Sequence, residues 1–231
     1  MKTIGLIGGM SWESTVPYYQ IINETVREKL GGLHSAKIIL HSVEFDEIER
    51  CQSMNQWDKA ADILGSAARG LELAGADFIL ICTNTMHKVF HEVQSFVSVP
   101  VYHIAELTAD ELEKNAIARV GLLGTKYTMK EDFYRKVLTD RHIDVLIPDS
   151  EEDISLVNTV IFEELCLGII KDSSRREYLR IIEDLTRRGA QGIIMGCTEI
   201  GLLVHQEDTD TPLFDTTYIH AKAAAEKALT D

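Results

Sequence analysis

Short apolar, β-branched runs alternate along the chain with longer segments whose apolar positions recur every three or four residues. The first run, Thr3-Ile4-Gly5-Leu6-Ile7, is followed by Gly8-Gly9 and then by a helical pattern from about Ser14 to Leu30. Ile22, Val26 and Leu30 repeat there at helical spacing, and Gly31-Gly32 supplies a stop. The same criteria predict strands at Lys37–His41, Phe78–Cys82, Val99–His103, Val120–Leu123, Asp144–Ile147 and Gly192–Met195. They predict helices over Trp57–Ala74, Met86–Gln94, Thr108–Asn115, Lys130–Leu138, Ile154–Cys166 and Ser174–Arg188. Strand and helix in alternation is the pattern of an α/β protein with parallel sheets, because a parallel connection must cross back over its own sheet. No stretch is rich enough in Pro and Ser to form a disordered linker.

The second half of the chain restates the first. Ile4-Gly5-Leu6-Ile7-Gly8 aligns with Val120-Gly121-Leu122-Leu123-Gly124 at an offset of 116, which also puts Tyr18 on Tyr134. Gly75-Ala76-Asp77-Phe78-Ile79-Leu80 aligns with Gly189-Ala190-Gln191-Gly192-Ile193-Ile194 at an offset of 114. Each copy then ends a strand in a polar turn, Thr83-Asn84-Thr85 in one and Cys197-Thr198-Glu199 in the other. Chance similarity between strand–glycine segments is the competing explanation.

Charge and composition narrow the function. A formal net charge of -14 over 231 residues disfavours nucleic acid and anionic membrane surfaces as partners. No apolar run approaches the roughly 20 residues that span a bilayer, and Met1-Lys2-Thr3-Ile4-Gly5 enters a strand without signal-peptide organisation. Cys51, Cys82, Cys166 and Cys197 form no close pair and are expected to be free thiols, with the cytoplasm as the default location.

In open α/β sheets, ligands bind beyond the carboxyl ends of the strands. Two such lobes facing one cleft would suit a reaction at a carbon with two faces. Cys197 is the candidate acid/base, since its reference pKa of about 8.5 can be lowered by helix N-termini or nearby donors. A buried, inert thiol is the bland alternative.

At these residues the chain resembles the aspartate/glutamate racemase superfamily along nearly its whole length. The matching pieces are I-G-L-I-G-G-M (Ile4–Met10), T-N-T-M-H (Thr83–His87), L-L-G-T (Leu122–Thr125) and G-C-T-E-I (Gly196–Ile200). The resemblance implies two pseudo-symmetric α/β lobes, Rossmann-like or flavodoxin-like, with parallel sheets and the active site in the cleft between them. The expected division is 1–105 plus 213–231 for the first lobe and 106–212 for the second. It also implies a racemase that uses neither pyridoxal phosphate nor metal, commonly a homodimer, with one thiol per lobe flanking the substrate Cα.

This sequence departs from that pattern where the first turn normally reads C-N-T. Thr83 stands there, and Cys82 lies one residue early. Side chains alternate along a strand, so Cys82 is expected in the core. A threonine hydroxyl is a poor base yet can donate a proton to a carbanion. The expectation is an acidic amino-acid racemase, kinetically L-selective, in which Cys197 deprotonates Cα and the Thr83 side reprotonates it. Alternatives are a single-cysteine decarboxylase or isomerase of the same superfamily, and a non-catalytic amino-acid-binding protein.

The remaining candidates would hold the substrate. Gly8, Gly9, Met10 and Ser11 link a strand to a helix, where amides approach anions; the spacing G-x-x-G-G is not the dinucleotide fingerprint G-x-G-x-x-G, and Trp12 either walls the pocket or belongs to the core. Asn84, Thr85, Thr125 and Thr198 either bind the α-carboxylate and ammonium or cap the helices that follow. Lys171 resembles the family lysine that takes the distal carboxylate. The family's arginine is not matched: Glu49 stands nearest, with Arg50 and Gln52 beside it. Glu199 and Asp215 either orient the ammonium or polarise a thiol, structural hydrogen bonding being as plausible for Asp215. His87 reads as a packing or capping residue.

Overall fold

The fold was obtained as a computed structural model that describes residues 1–230; Asp231, assigned above to the first lobe, lies outside the described residues. β1 (Thr3–Gly8) has Ile4, Leu6 and Ile7 fully buried. Burial on consecutive positions marks a strand covered on both faces, as parallel sheets require. It leads through α1 (Trp12–Leu30) to β2 (Lys37–Ser42), then α2 (Phe45–Ser53) and α3 (Trp57–Leu73). β3 (Phe78–Ile81), a 3₁₀ turn over Thr85–Val89, α4 (Phe90–Ser95) and β4 (Val101–Tyr102) complete the first set. All pairings are parallel, in the order β2-β1-β3-β4.

The second set repeats this scheme. α5 (Ile104–Lys114) leads to β5 (Arg119–Gly124), α6 (Lys126–Lys130), α7 (Asp132–Thr139), β6 (Asp144–Leu146), α8 (Glu151–Glu163), α9 (Asp172–Arg187), β7 (Ile193–Gly196) and β8 (Leu213–Asp215). Its sheet order is β6-β5-β7-β8, again parallel. The repeat read from sequence therefore corresponds to two sheets of matching order, and the α/β class with paired lobes holds.

The chain closes with α10 (Thr216–Leu229). One compact unit comprises Met1–Ile104 together with the chain from His220 onward; the other is Ala105–Ile219. The expected return to the first unit at residue 213 is therefore too early. Leu213–Asp215 is an edge strand paired to β7, and only the helix after it rejoins the first unit. Ala221, Ala224, Ala225 and Ala228 of α10 pack on Ile4, Leu6, Tyr18 and Ile22. Alanines at helical spacing let the helix lie close to these large side chains.

The aligned tyrosines occupy matching places. Tyr18 Oη lies 2.9 Å from His220 Nδ1 in the first unit, and Tyr134 Oη donates to Thr108 Oγ1 at 3.4 Å in the second. α2, α6, β8 and α10 have no counterpart among the elements expected from sequence. The short β8 and the alanine-rich α10 carry a weak periodic signal, and α2 is a brief polar helix whose buried residues are Ile48, Cys51 and Gln52.

In the second sheet, β5 and β7 approach through glycines, with Gly124 in register with Gly196. A Cβ on Gly124 would lie 2.6 Å from the Gly196 carbonyl oxygen. Backbone cannot yield as a side chain can, so Gly124→Ala is expected to cost about 1–3 kcal/mol. Urea denaturation would read this as a lower midpoint at unchanged slope, and an unchanged midpoint would refute it.

Candidate active site

In the first sheet the chain leaves β1 toward β2 on one side and β3 toward β4 on the other. The carboxyl ends of β1 and β3 therefore flank a switch point, where loops diverge and leave a crevice. Gly8-Gly9-Met10-Ser11 follows β1, and Thr83-Asn84-Thr85 follows β3. Gly9 has φ 90°, and a Cβ there would sit 2.4 Å from the Val43 carbonyl oxygen, so the turn admits only glycine. The Gly9 N–H donates to Thr15 Oγ1 at 2.9 Å. That amide is thus engaged within the turn rather than open to an anion, contrary to the sequence expectation. Ser11 caps α1, accepting from the Ser14 N–H at 3.4 Å, and Met10 is buried in the core. Trp12 is 65% exposed and is not a core residue.

Thr83, Asn84 and Thr85 are all buried. The Thr83 carbonyl is held by His87 Nδ1 at 2.8 Å. Cys82 packs with Leu6, Leu80 and Phe78, and burial pushes its thiol up far beyond the ordinary range, so it is a core residue as its position implied. Gln52, from α2, is buried and donates to Met86 Sδ at 3.1 Å. Arg50 beside it points outward and pairs with Asp46 at 2.5 Å.

The second sheet has its switch point between β5 and β7, where Thr125 and the Cys197-Thr198-Glu199 turn follow the strands. Thr125 accepts from the Thr128 N–H at 3.3 Å and caps α6. Cys197 Sγ donates to Glu199 Oε2 at 2.8 Å, and Thr198 Oγ1 donates to the same oxygen at 3.0 Å. Glu199 is almost wholly buried. The Cys197 thiol is raised well above its usual range, first by burial and then by the negative charge of Glu199. The lowering that a helix N-terminus or nearby donors can give is therefore outweighed here. A carboxylate instead of a cation or helix N-terminus faces the sulfur, which reverses the sign.

The other expected residues divide. Lys171 is 53% exposed, and its ammonium lies 3.0 Å from Glu164 Oε1. Glu164 also accepts from Ser174 Oγ at 2.6 Å, and despite its burial these partners hold its carboxyl below the usual range. Asp215 accepts from the Thr217 and Tyr218 N–H groups at 2.8 and 3.2 Å. It thereby caps α10, and burial raises its carboxyl.

A thiol and a carboxylate in contact, away from water, share one proton between two basic sites. Transfer from Sγ to Oε2 creates a thiolate without moving net charge in or out of the site. Such a pair can abstract a proton from carbon. Residues 7–224 match the Asp/Glu/hydantoin racemase family. The chain belongs to that family. It is an isomerase of the racemase type.

Relatives of this racemase bear out the assignment. It is 27% identical to the broad-specificity amino-acid racemase RacX of Bacillus subtilis, over 95% of each chain. A protein of Yersinia pestis assigned to the Asp/Glu racemases is 55% identical over 100% of both chains, with a TM-score of 0.91. An aspartate racemase homologue from Pyrococcus horikoshii is 38% identical, again over 100% of both chains, with a TM-score of 0.85.

Three features of the racemase were not legible beforehand. Thr15, whose hydroxyl ties down Gly9, looks like any early helix residue. Glu164, which occupies Lys171, is seven positions away across a turn. Cys166 lies close enough to Cys197 for its charge to act on that thiol, although 31 residues separate them.

Replacing the carboxylate tests the electrostatics directly. In Glu199→Gln the repulsion on the thiolate disappears while burial remains. Alkylation of Cys197 by iodoacetamide is therefore expected to reach half its plateau rate at a lower pH than in wild type. The same or a higher midpoint would remove Glu199 as a cause of the raised thiol.

Proposed function

We propose that this racemase inverts aspartate and glutamate, acting fastest on the L-enantiomer, and does so with its own side chains and no pyridoxal phosphate. The reading rests above all on the Cys197–Glu199 contact at the end of β7. The acidic substrate is supported by the names of the Yersinia pestis and Pyrococcus horikoshii relatives. The 27% likeness to a broad-specificity racemase leaves room for other side chains.

In the proposed cycle Glu199 takes the Cys197 proton, and the thiolate then takes the proton from Cα of the L-amino acid. The pair of electrons left on Cα is delocalised into the α-carboxylate, whose charge is offset by N–H and hydroxyl donors of the two turns. Asn84, Thr85, Thr125 and Thr198 are the side chains suited to this. Reprotonation on the opposite face comes from the Thr83 side, directly or through water; the proton held by Glu199 then passes through water to restore the Thr83 hydroxyl, and both groups end as they began. Running the cycle backwards requires a threonine alkoxide as base, far costlier near neutral pH than a thiolate. The preference is kinetic only, since the equilibrium ratio of enantiomers is fixed by symmetry.

Lys171 would serve the distal carboxylate by exchanging Glu164 for the substrate. One charge-assisted hydrogen bond is worth roughly 1.5–3 kcal/mol. Lys171→Ala is thus expected to raise KM for both acidic substrates about tenfold or more, with kcat less affected. A KM unchanged within twofold would remove Lys171 from recognition.

Proton exchange at Cα in D2O, followed by NMR for both enantiomers of aspartate and glutamate, tests the whole reading. Exchange should be faster from the L-forms and vanish in Cys197→Ala. Equal rates from the two enantiomers would refute the selectivity, and no exchange from any would refute acidic amino-acid racemisation.

A further inference from the structure

His87 holds the Thr83 turn from within the first unit, in a way the second unit does not copy. Its Nε2 accepts the Ile104 N–H at 3.1 Å. A backbone N–H can only donate, so Nε2 carries no proton; the ring is neutral with its hydrogen on Nδ1. That hydrogen is donated to the Thr83 carbonyl at 2.8 Å. Burial favours the neutral ring and lowers the His87 pKa to about 4. One rigid imidazole thus bridges two backbone groups. One belongs to the candidate proton donor. The other is the first residue of α5 and the last of the first unit before the chain enters the second.

The surroundings immobilise the ring. Phe90 stacks on it at 6.0 Å with an interplanar angle of 11°, and His103 lies against it at 4.6 Å. His220, the residue at which the chain re-enters the first unit, lies 6.0 Å away and is itself fixed by Tyr18 and by the Tyr102 carbonyl. The His87 ring ties the 3₁₀ turn back onto the Thr83 carbonyl from which it springs. At the offset of 114 that places Thr83 on Cys197, His87 falls on Gly201. Gly201 has no side chain, and the space beside it is taken by Asp215, whose Oδ2 would be 2.9 Å from an added Cβ.

We propose that His87 is a positioning residue for the Thr83 half-site alone, fixing the turn so that protonation from the Thr83 side reaches Cα. The role rests on the racemisation reading above. A hydroxyl that must deliver a proton is sensitive to its placement, and a displacement near 1 Å can cost about 100-fold. The Thr83 hydroxyl acts only in the protonation step, whereas Asn84 and Thr85 of the same turn serve the carbanion in both steps alike.

The test compares two rates in the same full-length protein: deuterium entry at Cα of L-aspartate with retention, and appearance of D-aspartate. In His87→Leu the second should fall about 10- to 100-fold further than the first, because only protonation uses the Thr83 hydroxyl. His87→Asn, which can still donate to the Thr83 carbonyl, should recover most of the loss. Parallel loss of both rates, or no loss of either, overturns the positioning role. Should His87→Leu not fold, His87→Asn and the wild-type ring decide. Nitrogen-15 NMR of wild type at neutral pH should find His87 neutral with hydrogen on Nδ1, and the Nε2–H tautomer or a charged ring overturns the proposal. An inactive wild type with the expected tautomer would fail the racemisation reading, not the geometry.

Discussion

Parallel pairing of the first and third strands of each unit is the constraint on which the molecule depends. A parallel neighbour must be reached by a crossover, so every strand ends at the same edge of its sheet. The first strand's chain turns one way and the third strand's the other, leaving loops parted above two adjacent carboxyl ends. Gly9 and Thr83 reach that place in one unit, and Thr125 and Cys197 in the other. The contact is tight enough to need glycine on both strands, as the Gly124–Gly196 register shows. No chemistry had to be invented to bring these residues together; strand order does it.

Burial then sets the terms for Cys197. Desolvation and the carboxylate of Glu199 both oppose a free thiolate, so a lone sulfur here would be inert. The same carboxylate offers the proton a destination 2.8 Å away. What looks unfavourable in a titration becomes workable when the charge stays within the pair. The Thr83 turn is gripped through its backbone carbonyl, by a histidine. The Cys197 turn is thus held through a side-chain carboxylate and the Thr83 turn through its backbone.

Each sheet of the duplicated architecture has its own core. The helix after the last strand of each sheet belongs to the other unit: α5 brings Thr108 to Tyr134, and α10 brings His220 to Tyr18. The polypeptide thus passes between units at Ile104 and Ile219, beside the histidines that surround the Thr83 turn.

Periodicity and self-similarity alone determined the α/β class, the duplication, most strands, and the two polar turns that end β3 and β7. These are written in local patterns, because burial on both faces forces runs of apolar residues and turns force glycine. The position of Cys82 also told its fate, since strand alternation points it inward. The boundary expected at residue 213 falls early because a three-residue edge strand has too few positions to show a pattern. The sign of the Cys197 shift, the engagement of the Gly9 amide by Thr15 and the hold of Glu164 on Lys171 were settled only by tertiary structure. Each depends on which atom faces which across a fold of the chain, and charge and hydrogen bonding act through space rather than along the sequence.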